Sequence, residues 1–131
     1  MNAGNPSTSA GELRAGSAAP HGGEHWIRER LSSIALLLLG SWLLASLLFL
    51  PSLDQRTMIE WLRMPSVAVP MAIFIVFSFA HALDGMKVIV DDYVHEPGNN
   101  FALNTVLLFA AVAGAGLALF ALAKIAFGGQ A

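Results

Sequence analysis

Three long apolar runs, none carrying a charge, set the limits on what this chain can fold into. Leu31 to Leu53 contains no Asp, Glu, Lys or Arg. Neither does Met64 to Leu83, which stays mostly apolar to Val90, nor Phe101 to Ala123. Each reaches the roughly 20 residues a helix needs to cross a hydrocarbon layer about 30 Å thick. In lipid every backbone N–H and C=O must find its partner within the protein, so only helices and closed barrels can span. A barrel strand would alternate polar and apolar residues, and these Leu- and Ala-rich runs do not. The expectation is an all-α membrane protein with three transmembrane helices and a disordered N-terminal tail.

Composition agrees. The 131 residues make one domain by length; 56% are hydrophobic and 12% charged, too apolar for a soluble domain of this size. The first run begins late, after a polar stretch, and exceeds the about 7–15 apolar residues of a secretory signal, so it reads as a retained span. With no cysteine, the chain carries no disulfide, no thiolate zinc site and no Cys-ligated iron–sulfur cluster. A net charge of −2 offers no basic field for nucleic acid.

Residues 1–22 are rich in Gly, Ser, Ala, Asn and Pro and bury too little apolar surface to order themselves, so they read as a polar tail. Residues 23–131 then form the anchor domain, with helices at about 30–50, 66–92 and 101–127. Trp26 sits where an interfacial aromatic anchor belongs, with Arg28 and Arg30 flanking the first span. Pro51 stops the first helix. Met58, Trp61 and Leu62 recur at helical spacing among charged residues between Pro51 and Pro65, the pattern of a short amphipathic helix lying in the interface. Pro65 and Pro70 are tolerable near the start of the second helix. Pro97-Gly98-Asn99-Asn100 reads as a turn. In the third helix Ala110, Gly114 and Ala118, with Ala111 and Ala115 beside them, form a small-residue face that suits close packing against the first helix or a partner chain.

Three spans put the termini on opposite sides. Arg14, Arg28, Arg30 and Lys87 fall on the N-terminal side, and Arg56, Arg63 and Lys124 on the other. The arginines nearest the first span favour a cytoplasmic N-terminus, which leaves Asp92 and Tyr93 at the cytoplasmic face.

The chemistry concentrates on the second helix. His81 lies deep in it, and an ionisable residue inside a membrane is rarely kept without a role. At 3.6 residues per turn His81, Asp84, Gly85, Val88 and Asp92 share a face. Tyr93 is turned about 120° from His81 and lies about 18 Å further along the axis. A neutral imidazole suits a haem iron, with one ring nitrogen on the metal and the other held by a hydrogen bond. Gly85, one turn away, leaves room for a flat macrocycle. The other histidines, His21, His25 and His95, do not share the depth of His81, so a second haem ligand would come from another chain. Two other readings of His81 stand beside this one: an imidazole hydrogen-bonded between helices, and a proton relay. Asp84 and Lys87, three residues apart, can pair locally. At the interface the Tyr93 phenol can donate to a quinone carbonyl with Asp92 beside it, or serve as an ordinary member of the aromatic belt.

The stretch His81-Ala-Leu-Asp-Gly85-Met-Lys-Val-Ile-Val-Asp-Asp92-Tyr93 resembles the signature of the small, D-type membrane-anchor subunit of succinate dehydrogenase, respiratory complex II. That signature is a His, a Gly four residues on and an Asp-Tyr pair closing the same helix. The resemblance extends over about residues 24–127, with the polar tail, the three spans and an Arg at the start of the first helix. His25-Trp26-Ile27-Arg28-Glu29-Arg30 is similar to the lead-in of alphaproteobacterial members. The Ser-x3-Arg quinone motif with a neighbouring His, typical of the companion C-type anchor, does not occur in that arrangement. Asp84 and Lys87 stand where relatives often carry apolar or aromatic residues.

The resemblance implies that His81 is the axial ligand of haem b, a haem shared with a second, C-type cytochrome b anchor subunit. It implies that Arg30 faces a haem propionate and that Tyr93 and Asp92 bind ubiquinone. An iron–sulfur subunit and a flavoprotein that oxidises succinate would complete the complex in a bacterial inner membrane. An anchor of a related complex such as fumarate reductase, or a small non-catalytic scaffold, are the alternative readings.

Overall fold

A computed structural model of the chain describes residues 21–128, which form four helices: α1 His21–Leu48, α2 Gln55–Arg63, α3 Pro65–Tyr93 and α4 Pro97–Phe127. Three are long and apolar enough to cross a membrane, over Trp26–Leu48, Pro65–Tyr93 and Pro97–Phe127. The expected tail, 1–22, lies outside the described residues except for its last two, which are already helical. α1 therefore starts earlier than the expected position near Arg30. The chain divides by its contacts after Leu31. The first unit contains the opening turns of α1, and the second, from Ser32 onward, carries everything that follows.

α1 ends short of Pro51 because a residue preceding proline is driven out of the α region. Its last turn tightens, with Leu50 N–H reaching Leu47 O at 3.3 Å. α2 is the expected amphipathic helix. Gln55, Arg56 and Glu60 are exposed, Met58 and Leu62 are half-buried, and Trp61 is only 8% exposed. An Arg56–Glu60 pair at 3.0 Å spans one turn of the exposed face. Asp54 precedes the helix and accepts from the Ser52 hydroxyl and from Thr57 Oγ1 at 2.5 Å. These hydroxyls, Ser52 foremost, hold the Asp54 carboxyl down at about 2. Met64 alone joins α2 to α3. It closes the first with its N–H on Trp61 O and opens the second with its carbonyl taken by Val67 and Ala68. Pro65 stands in the first turn of α3, where its missing N–H has no partner to lose.

The exterior is apolar. Leu37, Leu44, Val106, Phe109 and Leu117 are all more than 60% exposed, while the buried hydrophobic set is Trp61, Val67, Val90 and Leu122. In water this inside-out distribution would be unstable; in lipid the outer leucines already have an apolar solvent, and helices associate through close packing instead. Ser41 and Thr105 satisfy their hydroxyls within their own helices, on Leu37 O and Phe101 O, both at 2.7 Å.

Where the sequence offered the first helix or a partner chain for the small-residue face of α4, its Gly114 meets α3 of the same chain. A methyl group built on Gly114 would sit 2.5 Å from Phe79 Cε1, so the two helices touch where the side chain is missing. Within the second unit, Trp42 of α1 stacks on Trp61 of α2 with ring centroids 6.4 Å apart. Arg63, at the end of α2, donates to Ile125 O at 3.3 Å and Gly128 O at 2.9 Å. These carbonyls belong to the C-terminal end of α4, where a cation is favoured by the helix dipole.

Candidate functional site

α3 brings the chemistry-bearing residues into one line. The helix is continuous from Pro65 to Tyr93, so His81 lies near the middle of the span and Tyr93 is its last residue. On the face away from α4, His81, Gly85, Val88 and Asp92 are all exposed. On the other side Phe79 meets Gly114, and Val90 is buried. The amphipathicity of α3 is thus between two apolar environments. One face is occupied by α4, and the other carries an exposed imidazole near the middle of the span.

His81 has one described side-chain partner. Ser32 Oγ of α1 lies 3.3 Å from its Nδ1. Ser32 is itself buried at 9% exposure, in a span where hydroxyls seek partners. The contact is the interhelical hydrogen bond that one reading of the sequence anticipated. It also engages one ring nitrogen and leaves Nε2 for a ligand, because the bond made by one nitrogen sets the tautomer available to the other. The space beside His81 is free of bulk on this chain. Gly85, one turn on, faces open space, where an added methyl would meet nothing within 4 Å. Among the described residues no three His, Cys, Asp or Glu side chains gather to hold a metal ion, so His81 can supply one ligand of an iron and not a complete site.

Arg30 lies in the first unit. Its guanidinium stacks on Trp26, 4.9 Å from the ring centroid, a cation–π contact between two exposed side chains. His95 is exposed in the loop after α3. Asp84 and Lys87 are both half-buried on α3.

At the end of α3, Tyr93 is 81% exposed and Asp92 is exposed beside it. Asp91, which the sequence did not single out, turns the other way. Its Oδ1 accepts from Asn100 Nδ2 at 2.9 Å and from Asn104 Nδ2 at 3.2 Å, both on α4. Asn100 also donates to Val94 O at 3.2 Å, and Asn104 to Asn100 Oδ1 at 2.9 Å. These asparagines are helical, because α4 begins at Pro97 and not after a turn at 97–100. Glu96 caps it: its carboxylate accepts from Gly98 N at 3.3 Å and Asn99 N at 2.7 Å. A proline at the first helical position suits this geometry, and the same residues mimic a turn in sequence. Asn100 and Asn104 carried a signal, two amides one helical turn apart at the start of a span, that became readable only with the helix extended to Pro97.

The family model described as succinate dehydrogenase/fumarate reductase transmembrane subunit matches residues 7–123. Relatives named succinate dehydrogenase hydrophobic membrane anchor subunit are similar over part of the chain. The protein of Rickettsia bellii (strain RML369-C) is 34% identical over 77 residues, covering 59% of this chain and 62% of the relative. That of Rickettsia conorii (strain ATCC VR-613 / Malish 7) is 33% identical over 78 residues, covering 59% and 62%. That of Rickettsia felis (strain ATCC VR-1525 / URRWXCal2) is 33% identical over 73 residues, covering 56% and 61%. The chain thus spans about 62% of the length of the curated relatives it matches. With three membrane-length helices and a family match over most of its residues, the chain belongs to the succinate dehydrogenase/fumarate reductase transmembrane subunit family.

Proposed function

We propose that this chain is a membrane anchor of a succinate:ubiquinone oxidoreductase, holding haem b together with a second, C-type anchor chain and helping to form the site of ubiquinone reduction. The observation that carries this reading is the exposed His81 in the middle of α3, with its Nδ1 beside Ser32 Oγ. An imidazole left facing hydrocarbon loses its hydration without return. A partner helix and a shared cofactor would cover it, and the resemblance of the His81–Tyr93 segment to the anchor signature supports the same assignment. The family description covers both succinate dehydrogenases and fumarate reductases, and the similar relatives named above are succinate dehydrogenase anchors.

His81 Nε2 would ligate the haem iron while Ser32 holds Nδ1, and Arg30 would pair with a propionate. When bound, the haem supplies a one-electron store inside the membrane. At the membrane surface Tyr93 donates its phenol proton in a hydrogen bond to a quinone carbonyl, and Asp92 holds or exchanges a proton next to it. In this reading another subunit oxidises succinate. A flavoprotein does so, an iron–sulfur subunit carries the electrons to the anchor, and the anchor orients the acceptor. Arg28 and Arg30 before the first span set the N-terminus, and with it Tyr93, on the cytoplasmic side of a bacterial inner membrane.

The test is a reduced-minus-oxidised absorbance spectrum of the complex purified through a tag on this chain, for wild type and His81→Ala. A b-type band that is lost or altered in the variant supports the reading. A complex with flavoprotein and iron–sulfur partners but no haem removes the role of His81 and keeps the anchor. Neither haem nor such partners would leave a small membrane scaffold.

A further inference from the structure

The Asp91–Asn100–Asn104 cluster is absorbed neither by the proposed haem site nor by the proposed quinone site. We infer that Asp91, clamped to α4 by Asn100 and Asn104, is a positioning residue that aims Asp92 and Tyr93 at the ubiquinone; this inference rests on the quinone-site reading given above.

The argument begins with rotation. Each residue turns a helix by about 100°. With Asp91 directed at α4, Asp92 is turned about 100° away and Tyr93 about 200°, to the side opposite α4. Val90 is buried, Asp91 and Asp92 are exposed, and Tyr93 is 81% exposed. Tyr93 therefore takes its direction from the azimuth of the last turn of α3. A final helical turn is the part that frays, because its carbonyls lack intrahelical donors. Here that fraying is opposed from α4. Asn100 Nδ2 bridges Asp91 Oδ1 and the carbonyl of Val94, the residue that closes α3. Asn104 Nδ2 supplies the second donor to Asp91 and orients Asn100 by donating to Asn100 Oδ1.

The cluster is not what simple packing would select. Asn104 Oδ1 is buried and has no hydrogen-bond partner among the described residues. A buried amide oxygen left so is unfavourable, and an apolar side chain at this position would avoid it. The amide is explained by its donors: one nitrogen serves both Asp91 and Asn100. The loop from α3 to α4 is only Val94, His95 and Glu96, so a clamp on one helix end acts directly on the other.

The experiment compares Asp91→Ala, Asp91→Asn and Tyr93→Phe in the assembled complex. Three readouts are used: ubiquinone KM and kcat with succinate as donor, succinate oxidation with a dye that accepts upstream of the anchor, and amide exchange by mass spectrometry of peptides covering residues 88–104. Asp91→Ala loses an acceptor shared by two amides, so ubiquinone KM is expected to rise roughly three- to tenfold. The kcat, the dye-coupled rate and the haem band stay near wild type, and exchange at residues 91–94 quickens. Asp91→Asn keeps an acceptor oxygen for the two amides and is expected to restore most of the KM. Faster exchange with unchanged KM would overturn the positioning role, and so would exchange that does not respond to Asp91→Ala. Tyr93→Phe separates the underlying reading: if it leaves KM unchanged while Asp91→Ala raises it, the quinone-donor role of Tyr93 falls and the clamp acts through Asp92.

Discussion

The imidazole of His81 and the hydroxyl of Ser32 meet across two helices, with Nδ1 and Oγ 3.3 Å apart. The contact joins the middle of α3 to α1 in a region where both side chains would otherwise face hydrocarbon or a neighbouring helix. A ring nitrogen engaged in this way fixes the orientation of the imidazole and, through the tautomer, the character of the nitrogen opposite.

Ser32→Ala tests the consequence. If Nε2 ligates a haem iron as proposed, Nδ1 would carry the proton and donate to Ser32 Oγ, which would make the imidazole a stronger electron donor and favour the oxidised iron. Removing the hydroxyl is expected to raise the haem midpoint potential by about 20–60 mV, the one-electron equivalent of a hydrogen bond contributing about 0.5–1.5 kcal/mol. Haem content should be retained. Redox titration of the complex followed at the b-type band measures this, and an unchanged or lowered potential counts against the ligand geometry.

Gly114→Val tests the contact between α3 and α4. Even one methyl at this position would lie 2.5 Å from Phe79 Cε1 and 2.9 Å from its Cζ. The ring must move or the helices must separate, and overpacking of this kind costs about 1–3 kcal/mol. The variant should unfold at lower temperature in detergent and assemble less complex. Phe79→Ala combined with Gly114→Val should recover part of the loss, and a double variant no better than the single one would place the strain elsewhere.

Arg63→Ala tests the tie between α2 and the end of α4. The guanidinium reaches Ile125 O and Gly128 O with two different nitrogens. Charge-assisted hydrogen bonds contribute about 1.5–3 kcal/mol, so loss of the pair should be visible as faster amide exchange over residues 120–128. Lysine at this position keeps the charge without the fork, and Arg63→Lys should restore less than half of the protection. Full restoration by lysine would reduce the contact to the helix dipole alone.

Asp54 gives the chain a pH-sensitive point outside the membrane. Its carboxyl sits at about 2 in the folded chain against an ordinary 3.8, chiefly because the Ser52 and Thr57 hydroxyls donate to the charged form. A depressed carboxyl stabilises the fold above its unfolded value, and the contribution disappears as pH falls from about 4 toward about 2. The group is exposed, so the effect on stability is small and the titration itself is the measurement. Carboxyl carbon NMR of the chain in micelles should show Asp54 titrating below the ordinary 3.8, and Ser52→Ala should raise it.

The three spans were legible in the sequence because hydropathy belongs to each residue and sums along the chain, whatever its neighbours in space. The same holds for the amphipathic α2, whose apolar residues at helical spacing are local, and for the stop before Pro51, which follows from the restriction that proline places on the preceding residue. His81, Asp92 and Tyr93 stood out for a related reason: a polar group in or beside a long apolar run is conspicuous without a structure. What lay beyond reach were the pairings. Ser32 is one of several serines in the first span, and only the approach of α1 to α3 selects it as the partner of His81. The small face of α4 announced close packing but not its partner, and the seating of Gly114 on Phe79 chose α3. Asp91 carried no separate signal in the sequence, and its partners Asn100 and Asn104 meet it because α4 starts at Pro97. Local sequence determined which segments are helices and which are apolar. The tertiary structure decided which face of each helix meets which other, because hydrogen bonds and van der Waals contacts depend on separations of a few tenths of an ångström that no periodicity encodes.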